Sequence, residues 1–342
     1  MSLVNDVANQ QVVQLFGRID GSHSAILQKL RGNPTATLLA RFLYPDNVPE
    51  LPEVETVARG LDARVSGDKI DSVWIGSKTQ PLKSPADVIA LTLAGKRIVR
   101  VHRAGKHIVF DLEGEARTGK PARSRQTRRA ASRQPSAPRR PDAEAAQWIV
   151  HLGMTGRMVV SEPATAIAKH THLIAKLDSG RELRFIDPRM FGKLSVHPGG
   201  FDPGGVEPLE VSQERFVALF RGRKTPIKSA LLNQKLLRGV GNIYADESLF
   251  RAGIGPRRRA AAITRERLGK LHAAVREVLR EAIALGGSSI SNYVDADGEP
   301  GFFQLEHRVY GREAEPCLVC GTAVRRIVLA GRSSHYCPTC QK

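Results

Sequence analysis

Four cysteines constrain the end of this chain more tightly than any other feature constrains the rest. Cys317-Leu318-Val319-Cys320 and Cys337-Pro338-Thr339-Cys340 are separated by sixteen residues, and the chain has no other cysteine. All four fall in the last 26 residues, which argues against disulfides distributed through a secreted fold. A two-residue spacer lets both sulfurs of a knuckle face one ion, so the spacing predicts a four-thiolate tetrahedral site for one Zn2+. A closed shell has no open position for a catalytic water, which makes this zinc structural. Strands are expected at Arg325 to Leu329 and Ser334 to Tyr336, with Gly331-Arg332 at the tip of the finger. An arginine held there either reaches a phosphate or points into solvent.

The 342 residues are enough for two ordinary domains, and a hydrophobic content of 41% gives each a core. A formal charge of +18, with a pI near 10.2, makes a polyanion the first partner to consider. Charge speaks to association and not to fold, so a basic protein without nucleic acid is the plain alternative. No apolar run reaches the ~18 residues of a membrane span, and the N-terminus lacks the order of a signal peptide. A cytoplasmic protein with no membrane partner is expected.

Residues 1–48 carry four basic and three acidic side chains without sustained periodicity, unlike the rest. From Pro49 the pattern sharpens. Pro52 suits the first turn of a helix, and Val54, Val57, Ala58, Leu61 and Val65 follow at spacings of three and four, so a helix should run to about Gly67. A hairpin is expected from Arg97 to Arg103, Ala104-Gly105 as its turn, and Lys106 to Leu112. Further strands at Trp148 to Leu152, His172 to Leu177 and Glu182 to Ile186 point to a β-sandwich or flattened barrel. The 114–146 region is Arg-, Ser- and Pro-rich; nine Lys or Arg lie between Arg117 and Arg140, supplying half the net charge. It cannot bury enough apolar surface to fold and is expected to be disordered, a non-specific DNA tether or an inert insertion.

The breaker cluster His197-Pro198-Gly199-Gly200-Phe201-Asp202-Pro203-Gly204-Gly205 marks a hinge over 197–205 between a β-rich domain, 49–196, and a helical domain, 206–302, with the finger over 303–342. Leu268, Leu271, Val275, Val278, Leu279 and Ala282 form the core face of a long amphipathic helix. Before it, Lys228 to Glu247 has the pattern helix, Gly-rich turn, helix. Asn242 is well placed there as an N-cap, and Gly239 and Gly241 allow a phosphate to approach the free amides of the second helix.

Three separated motifs carry a family resemblance: Val48-Pro49-Glu50-Leu51-Pro52-Glu53-Val54-Glu55-Thr56, the run from Lys228 to Glu247, and Val309-Tyr310-Gly311-Arg312 through Cys340. In this order they resemble the formamidopyrimidine-DNA glycosylases over nearly all of the chain from Pro49. The resemblance implies an α+β, two-domain protein: an N-terminal β-sandwich with flanking helices, then a helix-two-turn-helix domain and a four-cysteine zinc finger. It also implies a monomer that acts on damaged double-stranded DNA. Oxidised purines would be excised through a Schiff base on an N-terminal proline, and the strand nicked by β,δ-elimination.

By that resemblance the catalytic residues are Pro49 as nucleophile, Glu50 as general acid/base, Lys106 assisting strand cleavage, and Arg332 gripping the phosphates beside the lesion. His170, Arg189, Arg223, Lys228 and Asn242 match DNA-backbone contacts, and Met154, Arg189 and Phe191 match the side chains that fill the gap left by a flipped nucleotide. Apolar insertion of this kind is a known way to stabilise unstacked DNA. The loop Gly286 to Val294 resembles the one that reads the flipped purine; the oxidised-pyrimidine activity of the related endonuclease VIII is the alternative.

The departure lies at Pro49. In this numbering its nitrogen is a tertiary amide and cannot attack C1′. A free N-terminal amine, with a reference pKa of about 7.7–8.0, could. The expectation is that translation begins at residue 48, where a GUG codon would read as valine internally. Proteolytic removal of an extension, or a protein that binds lesions without cleaving, are the other readings.

Overall fold

The computed structural model describes residues 48–114, 145–289 and 300–342. The leading 47 residues, most of the basic insertion and the second half of the Gly286–Val294 loop lie outside these residues.

Helix α1, Leu51–Val65, opens the described chain. Its apolar stripe is buried as the spacing predicts, and it ends two residues before Gly67. Then come β1 (Ile70–Ile75), α2 (Ala86–Leu93), β2 (Arg97–Ala104), β3 (His107–Glu113), β4 (Ala146–His151), β5 (Arg157–Ser161), β6 (Thr171–Leu177), β7 (Glu182–Ile186) and β8 (Lys193–His197). Two antiparallel four-stranded sheets form, in the orders β1-β6-β7-β5 and β2-β3-β4-β8. Phe110 and Trp148, stacked at 4.6 Å, share one core with Leu173, Leu183 and Phe185 of the other sheet, so the sheets form a sandwich. α1 closes it with Val54, Val57, Leu61 and Val65; each such side chain contributes about 1.5–3 kcal/mol when fully buried.

The β2–β3 turn differs from the expected one. It is Gly105-Lys106, so Lys106 sits in the turn itself instead of opening the next strand. Gly105 takes φ +61°, which a turn this tight requires and few other residues adopt.

The helical part holds α3 (Gln213–Phe220), α4 (Ile227–Leu231), α5 (Asn242–Arg251) and the long α6 (Arg265–Ala284). Its core gathers Phe216, Phe220, Leu231, Tyr244, Leu271, Val275 and Phe303, and also takes Leu51 from the first turn of α1. One helix thus belongs to both cores. The hinge segment is likewise engaged: Phe201 packs against Ala104, Val109 and Ile149, and its N–H donates to Gln147 Oε1. A second correction concerns Asn242, which is the first residue of α5; the N-cap is Gly241, whose extended backbone precedes the helix. The finger is the hairpin of β9 (Arg325–Leu329) and β10 (Arg332–Tyr336). Its turn is Ala330-Gly331, and Arg332 begins the returning strand.

Candidate active site

Pro49 and Glu50 are buried at the head of α1, where the sandwich meets the helical domain. The junction is built from backbone. Leu51 N–H donates to the Gly239 carbonyl, and Glu50 Oε1 accepts the N–H of Ile243, one of the free donors in the first turn of α5. Gly241 makes this possible: a Cβ there would lie 2.2 Å from Glu50 Cδ. Glu53 Oε2 accepts the Glu50 N–H, while its Oε1 receives the Tyr244 hydroxyl and the Ser288 N–H. One carboxylate therefore ties Glu50 to both α5 and the start of the Gly286 loop.

Glu50 Oε2 has no hydrogen-bond partner. Burial pushes the Glu50 carboxyl up to about 7 against the opposing pull of Lys106, with Glu53 adding to the rise. Lys106 is pushed below the ordinary lysine value, first by desolvation and further by Arg332, while Glu50 and Glu53 oppose the shift. Lys106 thus feels the charges of both Glu50 and Arg332, the latter exposed beside the finger turn.

Lys228 is not a surface cation. It is fully buried, with Nζ 2.7 Å from Asp246 Oδ1 and donating to the Ser333 carbonyl at 2.6 Å. Burial lowers its pKa, Asp246 and Glu50 oppose that, and Arg332 adds to it. As placed, it braces the finger against α5. Asn242 shares that task through Nδ2 to Ser333 Oγ, and its buried Oδ1 is unpaired. Asp246 Oδ2 accepts the His335 N–H, and Glu247 accepts the N–H groups of Arg308, Val309 and Tyr310. Asp246 and Glu247 were silent in the sequence, since acids on a helix are ordinarily solvated.

Met154, His170, and Arg189 with Phe191 come from three connections, β4–β5, β5–β6 and β7–β8, of which the first and last abut. A Cβ on Gly153 would lie 2.5 Å from the Gly192 nitrogen, so the loops pack backbone to backbone. Asp187, fully buried, organises them by accepting from Thr155 Oγ1 at 2.5 Å, Gly192 N–H at 2.7 Å and Arg189 N–H at 3.3 Å. His170 offers its carbonyl to the Asp187 N–H. Phe191 is half-exposed with the Arg189 guanidinium 5.1 Å above its ring, and Met154 is half-buried. Sequence reasoning also passed over His151. Its Nδ1 accepts the Gly153 N–H, and its pKa is pushed down to about 4 by burial and by His107 and Lys106, so it stays neutral beside Lys106. Arg223 is exposed, and its carbonyl accepts from the Ala261 N–H.

The sulfurs of Cys317, Cys320, Cys337 and Cys340 all lie within 4.8 Å of one another, with Cys320–Cys337 at 3.4 Å and Cys317–Cys340 at 3.9 Å. Tetrahedral Zn–S bonds of about 2.3 Å require sulfur separations of roughly 3.8 Å, so the four thiols fit one zinc. Among the described residues no helix is long and apolar enough to cross a membrane.

Comparison with known proteins agrees with this geometry. Residues 48–194 match the formamidopyrimidine-DNA glycosylase N-terminal domain, 205–294 the H2TH domain of the same glycosylase, and 314–342 the zinc finger found in FPG and IleRS. A formamidopyrimidine-DNA glycosylase of Solibacter usitatus is 44% identical, and one of Gluconobacter oxydans 38%; each is matched over its whole length by 86% of this chain. Among solved structures, a Lactococcus lactis FPG mutant bound to Fapy-dG-containing DNA superposes with a TM-score of 0.71 at 31% identity, covering 86% of this chain and all of that one. The Thermus thermophilus MutM (FPG) protein gives 0.68 at 37%, covering 86% and 98%.

Proposed function

The chain belongs to the formamidopyrimidine-DNA glycosylase family, and from that premise we propose that it excises oxidised purines from duplex DNA and nicks the strand at the resulting abasic site. The observation that carries the reading is the charge arrangement at the domain junction, where a carboxyl titrating near 7 adjoins a lysine of lowered pKa that also feels the finger arginine. A group with a pKa close to the working pH can both give and take a proton, which suits Glu50 as the acid/base beside the sugar ring.

In this reading Pro49 attacks C1′ once its nitrogen is a free secondary amine, the bond to the base breaks and the amine proton is lost; the C1′–O4′ bond then opens as Glu50 gives a proton to O4′, and the resulting iminium links enzyme to sugar. Lys106 then assists elimination of the flanking phosphates, and Arg332 holds them. Met154 and Phe191 fill the space the flipped nucleotide leaves, with Arg189 over the Phe191 ring. Zinc, when bound, supplies no chemistry; the four cysteines fix the hairpin that presents Arg332. The family match starts at residue 48, which supports a working form that begins at Pro49. Val48 acylates Pro49 in the full chain, and that favours lesion binding without cleavage for this longer form.

Borohydride trapping on 8-oxoguanine duplexes separates the two. A covalent adduct is expected with a chain beginning at Pro49 and none with the full chain; no adduct from either form would reduce the proposal to binding alone.

A further inference from the structure

The connection from α6 to the short helical turn Phe303–Glu306 is bonded to itself at both ends and to the active site at one. The Gly287 carbonyl accepts the Phe303 N–H, the Ser289 N–H donates to Gln304 Oε1 at 2.9 Å, and Ser289 Oγ accepts the Gly301 N–H at 2.7 Å. The packing is backbone on backbone: a Cβ on Gly301 would lie 2.3 Å from the Gly287 carbonyl oxygen. Ser288, at the described start of the Gly286–Val294 loop, is thereby set against the carboxylate that holds Glu50. Its N–H donates to Glu53 Oε1 at 2.7 Å, while Glu53 Oε2 accepts the Glu50 N–H.

The Ser288 side chain meets a histidine that the chemistry at the sugar does not use. His307 Nε2 lies 3.3 Å from Ser288 Oγ, both residues are buried, and the ring packs edge-on against Phe303 and Tyr310 with centroids 5.5 Å apart in each case. Burial pushes the His307 pKa down to about 3 against the opposing pull of a bond to the Tyr310 backbone, and His335 and Arg312 add to the fall. The ring is therefore neutral near pH 7 and has a single N–H. A backbone bond that favours the protonated ring is one the ring donates, so that N–H goes to the Tyr310 carbonyl and Nε2 is left to accept the Ser288 hydroxyl. An apolar ring would fill the same place without the cost of burying two polar nitrogens. What histidine adds is one fixed orientation for Ser288.

We propose that His307 is a positioning residue for base recognition, fixing the Ser288 hydroxyl and the start of its loop so that handling an oxidised purine depends on it more than handling a site without a base. This rests on the oxidised-purine reading above and deepens it. An abasic site offers no base for the Ser288 end of the loop to meet, whereas Pro49 and Glu50 act on the sugar in both substrates.

Two ratios test it. The full chain, which the acylated Pro49 keeps from cleaving, gives the affinity for an 8-oxoguanine duplex relative to one carrying a non-cleavable abasic analogue. The chain beginning at Pro49 gives the single-turnover rate of 8-oxoguanine excision relative to nicking at a preformed abasic site. His307→Phe keeps the ring contacts and removes the acceptor; it should lower both ratios about three- to tenfold, the effect of one hydrogen bond. Ser288→Ala should lower them by the same factor, and the double variant no further, because the two side chains form one interaction. His307→Gln, whose Oε1 can accept from Ser288, should recover most of the loss. Ratios unchanged in both single variants, equal losses on the two substrates, or losses that multiply in the double variant overturn the role of His307. Wild type that nicks abasic DNA and leaves 8-oxoguanine intact overturns the substrate reading and the role with it; wild type that excises 8-oxoguanine while the variants keep its ratios overturns the role alone.

Discussion

At the scale of single residues, Glu50 concentrates the conflict between stability and chemistry. Its Oε1 is satisfied by Ile243, its Oε2 is buried without a partner, and its carboxyl is held near 7 by desolvation. A folded pKa above the unfolded value of 4.5 means the folded protein binds the proton more tightly. Stability from this group is therefore full below about 4.5 and lost as pH rises through about 7. Glu50→Gln keeps an acceptor for Ile243 and removes the charge. Thermal melts should show it more stable than wild type at pH 8, by on the order of 2–3 kcal/mol, with the difference gone near pH 4.5. Single-turnover cleavage by the same variant of the Pro49-initiated form should fall about 10²–10⁴-fold. A variant less stable than wild type at pH 8 would show that the carboxylate is not strained by burial.

At the scale of elements, two short connections decide whether the site exists. The turn into α5 must pass beside Glu50, and Gly241 leaves room that alanine would fill. Gly241→Ala should displace the Glu50 carboxylate and cut cleavage at least about 10²-fold, a loss the proton-transfer role implies; far-ultraviolet circular dichroism should stay unchanged. The finger is the other connection, because its core is small and rests on the cysteines, Val309, Val324 and Phe250. Removing zinc with a chelator should release the hairpin and with it the Ser333 and His335 contacts to Lys228 and Asp246. Cleavage should vanish while the sandwich melts as before, which calorimetry with and without chelator would report. Activity that persists in the zinc-free protein would separate Arg332 from the reaction.

At the scale of the whole molecule, the sandwich and the helical domain are joined by charge as well as by α1. Arg103 of β2 is almost wholly buried; its Nε bonds Glu55 of α1 at 2.8 Å, and its two terminal nitrogens bond Glu207 at 3.0 and 2.9 Å. Arg238, from the turn before α5, reaches Glu207 and Asp202. Arg103→Ala would leave Glu55 and Glu207 without their shared cation, and breaking a buried pair this way costs about 3–5 kcal/mol. Lysine should restore only part of it, lacking the two-pronged geometry. Denaturant titrations of both variants check the order; equal stability of wild type and alanine variant would refute a role for the network.

Much of this was legible in the residues alone, where the information is local. The zinc ligands follow from covalent spacing, α1 and α6 from apolar periodicity, and the motif order from Pro49 to Cys340 needed no coordinates. β1, α2 and β5 were not legible, because they are short and expose much of their length to water, so no clean alternation marks them. What only the tertiary structure decided is how each charge is solvated. Lys228, expected at the DNA backbone, is buried on Asp246, and Arg223, expected there too, is exposed on a segment whose backbone bonds the Arg257–Ala261 stretch. Desolvation and Coulomb forces depend on separation in space, and residues 50, 106, 228 and 332 acquire common surroundings only when the two domains close on α1.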